Sequence, residues 1–199
     1  MHAGDVRLGI ADHLGWAVVV TAAAGHEVVD RRRIELIEPG LPAAPIHHEG
    51  GPYALHRSGA PLDDRSLATL VAEVRASVVR ATSAGLDDME RALSGPIASM
   101  SLRAWPTDFP GDVAVQRRVP YESRADPIMY RQVLAEQAHQ RGWAVHFYDA
   151  KGVVSEATRA LGPNAREVLT HARARLGPPW SKDHHRALAA TIVAARRTA

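Results

Sequence analysis

Asp12 is the acid best placed for chemistry in this chain. It follows the apolar run Val6-Arg7-Leu8-Gly9-Ile10-Ala11 and precedes His13-Leu14-Gly15-Trp16, so it sits at the tip of an expected strand-turn-strand hairpin. A carboxylate presented there suits a hard divalent cation, which takes oxygen ligands. A tight turn also favours Asp, and that reading stands beside the first. Near the other end, Ser181-Lys182-Asp183-His184-His185 opens an alanine-rich helix. Asp183 can serve as a metal ligand or simply meet the free amides of the helix start, with Ser181 as cap. The imidazole of His184 or His185 titrates near neutrality and suits a ligand or a general base. Adjacent histidines diverge by about 100° on a helix, so at most one of them shares a site with Asp183.

Two further acids are candidates. Glu122, in Tyr121-Glu122-Ser123-Arg124, lies just before a helix and between arginines, where a solvated ion pair or a cap is the alternative. Asp149 closes an expected strand at the sheet edge where open α/β sheets bind ligands. It equally suits a turn through Ala150-Lys151-Gly152. His47, His48, Glu49 and His56 offer zinc ligands, but their spacing matches no closed structural zinc pattern.

The elements that must position these residues follow from periodicity. Val6 to Val20 reads as a hairpin, and 26–37 as a third antiparallel strand after a turn at Gly25. Residues 38–61, rich in proline, glycine and histidine, read as an inserted, lid-like loop over the cleft. A helix opening at Leu62 runs to Ala84 and a short one follows over 86–93. A fourth strand, Pro96–Trp105, and an irregular stretch to Ser123 come next. Asp126 as cap and Pro127 at the first position start the following helix, which Gly142 ends. Trp143–Asp149 is a fifth strand, and the remainder is helical over 153–161, 165–176 and 182–197. A helix between two strands produces parallel pairing. The expected fold is therefore α/β, a mixed five-stranded sheet with helices on both faces.

Composition narrows the function classes. The 199 residues suffice for one sizeable core, so a single domain over 1–199 is expected. Cysteine is absent, which excludes disulfides, thiolate zinc sites and a cysteine nucleophile. The longest apolar runs are about ten residues against about 20 for a bilayer span, and no signal peptide is evident, so a cytoplasmic protein without membrane partners is expected. The net charge is +2, mildly favourable to an anionic partner such as nucleic acid. Lys151 and Lys182 are the only lysines, so arginine carries nearly all the positive charge. Phosphate loops, dinucleotide fingerprints and nucleophile elbows are missing from the sequence.

The element order, with Gly9-Ile10-Ala11-Asp12-His13-Leu14-Gly15-Trp16 at one end and Ser181 to Ala190 at the other, resembles the ribonuclease H-like superfamily. The likeness is to small bacterial proteins of uncharacterised families related to Holliday-junction resolvases, and covers most of the chain apart from 38–61. It implies a nuclease or related phosphodiesterase using magnesium or manganese held by three or four acids from the first strand, a middle strand and the last helix. On that pattern Asp12, Asp183 and His184 are the metal ligands, with Glu122 or Asp149 completing the catalytic set. In the superfamily the first acid stands one place earlier, where this chain has Ala11. A one-residue displacement turns a strand side chain to the opposite face unless a bulge intervenes. The competing expectation is a non-catalytic member of the fold that binds nucleic acid or protein, with a homodimer through an exposed sheet edge.

Overall fold

A computed structural model describes residues 5–197. Its sheet has five strands, β1 Val6–Asp12, β2 Trp16–Ala23, β3 Val28–Glu35, β4 Ile97–Arg103 and β5 Ala144–Tyr148, ordered β3-β2-β1-β4-β5. The β1–β2 and β2–β3 pairs are antiparallel, and β4 lies parallel to both β1 and β5. This is the mixed α/β sheet expected from the element order. The turn before β3 places His26 at φ 68°, so histidine, and not Gly25, takes the left-handed position.

Alternation along β1 assigns side chains to two cores. Val6, Leu8 and Ile10 enter the first, closed by α1 (Asp64–Ala92) and α3 (Glu122–Gln140). Ala11 enters the second, closed by α4 (Val153–Leu161), α5 (Ala165–Leu176) and α6 (Lys182–Arg197). Leu8 and Ile10 are fully buried, each contributing about 1.5–3 kcal/mol through the water it no longer orders. Gly9, on the second face, lets α6 approach so closely that a Cβ there would collide with the Ala187 carbonyl. A helix axis that near the sheet carries its first turn to the tip of the β1–β2 hairpin.

Four expectations about the segments between strands are corrected. The first helix does not break at Ala84 but continues to Ala92, with Asp63 as its cap accepting from Ser66 N at 2.8 Å. Gly85 lies within this helix and faces Ile34. Helix α3 starts at Glu122, not at Asp126, because Tyr121 O already accepts from Ala125 N at 3.0 Å, and Pro127 lies inside it. The stretch 38–61 is not simply a lid. Its buried Ala44 and Ile46 lead into a π-helix, Ile46–Gly50, anchored on α3, and a short 3-10 helix follows over Ala54–His56. The short helix α2, Val113–Gln116, interrupts the stretch read as irregular.

Candidate functional site

The β1–β2 register is regular up to the pair Asp12–Ala17, with no bulge at the acid. Asp12 therefore shares the face of Leu8 and Ile10 and points toward α3. There Arg131 Nε donates to Asp12 Oδ2 at 2.7 Å, and both side chains are buried, at 9% and 2% exposure. The other oxygen, Oδ1, is buried with no hydrogen-bond partner. From β5, the Tyr148 hydroxyl donates to Ile10 O at 2.6 Å. Burial and then the Asp12 charge push that phenol above its ordinary range, while Arg103, Arg131 and Arg186 pull against them.

His13 faces the opposite way. Its Nε2 lies 3.0 Å from Asp183 Oδ2 in the first turn of α6. Its ring is stacked on Trp16 at 4.0 Å and 7°, and Arg33 covers the same indole at 4.3 Å. Asp183 also has a cation beside it in Arg186, at 3.6 Å. The two principal acids thus reach the end of β1 from opposite faces of the sheet, each already opposed by its own basic side chain.

The histidines after Asp183 play another part. His184 is buried, with Nδ1 accepting from Ser181 N at 3.1 Å and lying 2.8 Å from Ser181 Oγ, so it ties down the start of α6. Its ring lies 5.2 Å from Trp180, and burial followed by the Arg31 charge lowers its pKa. His185 is likewise lowered, first by burial and then by Arg173. Arg31 itself is held by the carbonyls of Leu176, Gly177, Pro178 and Pro179, which fixes the link between α5 and α6.

The remaining sequence candidates lie elsewhere. Glu122 is buried with Oε1 at 3.6 Å from His47 Nδ1, facing the π-helix. Asp149 accepts from Lys151 N at 3.2 Å and Gly152 N at 3.0 Å, the turn-forming role. Asp126 accepts from Ile46 N at 3.1 Å and His47 N at 2.9 Å. Burial pushes its carboxyl up to about 7 in spite of those two amides. It pins the segment 38–61 to α3 where the sequence suggested a helix cap.

These donors do not fit a two-ion centre. Among the described residues no group of three His, Cys, Asp or Glu side chains could hold a metal ion, and this includes His47, His48, Glu49 and His56. Asp12 and Asp183 are separated by the sheet, and Arg131 and Arg186 already oppose their charges. Arginine is what collects at this end of the sheet: Arg103, Arg124 and Arg131, the last bonded to Asp12, line one pocket. Sequence reasoning passed over Arg131, although its position signalled it. It falls in the stripe Ile128, Leu134, Ala135, Ala138 of α3, where a charge requires a buried partner.

No protein-family profile and no curated protein matches the chain. Solved structures do. Thermus thermophilus RuvC in complex with a Holliday junction substrate aligns over 97% of this chain and 94% of its own, with TM-score 0.54 and 11% identity. A second Thermus thermophilus RuvC structure covers 96% and 94%, with TM-score 0.51 and 13% identity. The chain has the ribonuclease H-like fold. Among the described residues no helix is long and apolar enough to cross a membrane.

Proposed function

We propose that this chain is a nucleic-acid-binding member of the ribonuclease H-like fold in which arginine, not a pair of metal ions, meets phosphate at the carboxyl end of the sheet. The observation that carries the reading is the buried Asp12–Arg131 pair, with Nε 2.7 Å from Oδ2. It neutralises the carboxylate from the first strand, and Arg103 and Arg124 line the pocket beside Arg131 without a carboxylate among its walls. The similarity to a RuvC bound to a Holliday junction supports nucleic acid as the partner class. Duplexes present about one negative charge per 1.7 Å of axis, so basic side chains at one sheet end give salt-dependent binding.

The competing reading is a magnesium- or manganese-dependent nuclease using Asp12, Asp183 and His184, with Glu122 or Asp149 in support. What favours it is Asp12 Oδ1, buried and unpartnered. One experiment separates the two. Fluorescence anisotropy on four-way, duplex and single-stranded substrates is run beside a cleavage assay with each metal. Binding that weakens with salt, without cleavage, is the expected result. Metal-dependent cleavage abolished by both Asp12→Asn and Asp183→Asn would overturn it. Absence of binding to every substrate would leave a protein-binding or oligomerisation module, for which sedimentation must show a dimer dependent on edge strand β3 or β5.

A further inference from the structure

We infer that the pocket between the end of β4 and the first turns of α3 binds a phosphoryl group. The source of that group, nucleic acid, rests on the functional reading above, but the chemistry of the pocket does not. The cavity is about 320 Å³, and Arg103, Trp105, Ser123, Arg124 and Arg131 supply its polar and aromatic walls. No carboxylate lines it. Arg103 Nε is buried with no hydrogen-bond partner among the described residues, so no protein acceptor opposes the guanidinium charge at that atom. Arg124 leans on Phe109, 5.9 Å from the ring centroid, and makes no ion pair among the described residues.

Arg131 is oriented from behind. Asp12 engages its Nε, which fixes the plane of the guanidinium at the back of the pocket. The orphaned sequence acid then has a positioning role, holding an arginine as carboxylates elsewhere hold a metal. Charge balance agrees with a phosphate ligand. Asp12 offsets one of the three guanidinium charges lining the pocket, and the remainder matches the charge of about −1.5 to −2 on a phosphomonoester near neutrality. Ser123 and Arg124 also lie in the first turn of α3, whose positive end adds to the attraction. Trp105, edge-on to Phe147 at 4.9 Å, offers an aromatic surface for the sugar or base attached to that phosphate.

The phosphoryl group can come from a strand terminus or from an internal phosphodiester, and the test distinguishes them. Full-length protein is titrated with a short single strand carrying a 5′-phosphate, the same strand with a 5′-hydroxyl, and inorganic phosphate alone. Arg103→Gln/Arg124→Gln is expected to weaken binding roughly tenfold or more and to flatten the salt dependence, whereas Arg159→Gln on α4 leaves both unchanged. Selective loss for the phosphorylated strand assigns the pocket to a terminus, and equal loss for both strands assigns it to the backbone. Ser123→Asp provides a second variant if the double substitution does not fold, because an acid in the first turn suits the helix while opposing the ligand. Unchanged affinity in both variants would overturn the inference and leave the nucleic-acid reading intact. Failure to bind any strand, with inorganic phosphate still held through Arg103 and Arg124, would preserve the pocket and remove that reading.

Discussion

Asp12 and His13 are consecutive residues that end on opposite sides of the sheet and do opposite things. Toward α3, Asp12 is sealed against Arg131, with a neighbouring buried acid, Asp126, holding the 38–61 segment. Toward α6, His13 meets Asp183 in a pair whose side chains are 38% and 22% exposed, stacked on an indole. The first side uses charge to fix architecture and a basic pocket. The second leaves a titratable pair open to water. A fold whose acids would have to converge on one point instead distributes them across the sheet, because the strand pleat offers successive residues opposite faces.

Arg131→Met breaks the first side most severely. Removing one partner of a buried pair strands the other charge, and a loss of about 3–5 kcal/mol in denaturant unfolding is expected. Asp12→Leu/Arg131→Met should recover most of it, since an apolar pair of similar volume leaves no charge buried. A double variant as unstable as the single one would mean that the pair is not the source of the stability.

Gly9→Ala challenges the second side. Its added methyl meets the Ala187 carbonyl, and backbone cannot rotate away, so α6 must move out from β1. The expected destabilisation is about 1–3 kcal/mol, toward the upper end. The shift should also lengthen the His13–Asp183 contact, seen as a changed His13 ring signal in NMR spectra. The Asp12–Arg131 side should not respond.

Asp126 gives the first side a pH signature. Its carboxyl titrates near 7 in the folded chain and near 3.8 when unfolded. The folded state therefore holds the proton more tightly. Its contribution to stability is full below about pH 4, falls as pH rises through 7, and is flat beyond. Asp126→Asn should remove that decline when unfolding free energies are compared across the window. A profile parallel to that of the unaltered protein would remove Asp126 as its cause.

Much of the frame was legible because it is local. The glycine-aliphatic-acid-turn-tryptophan opening and the helices over 153–161, 165–176 and 182–197 follow periods of two and 3.6 that need no distant partner. What the sequence concealed depends on long-range contacts. Asp126-Pro127 carries the signature of a helix start, yet its carboxylate is claimed by amides 79 and 80 residues away in sequence. The break expected after Ala84 does not occur, and Gly85 there faces Ile34 across the core. Ala11 in the place of an acid was readable, and the pleat it implies agrees with the face Asp12 takes. That Arg131 would meet it there was not readable, since helix and strand are joined only by the fold.

Asp183→Asn probes the open side and should have the smallest effect. A half-exposed pair gains little from attraction that water screens, so the expected loss is below about 1 kcal/mol. The more informative readout is the neighbouring imidazole. With the carboxylate gone, His13 loses its partner at Nε2 but keeps its stack on Trp16, so its ring signals should shift in NMR spectra while the ring remains in place. The same substitution should leave phosphate affinity at the Arg103–Arg124 pocket untouched, because Asp183 belongs to the other face. If phosphate binding changes together with the His13 ring signals, the two sides communicate across the end of β1 through Tyr148 and Arg186, and the division between a structural face and an open face fails.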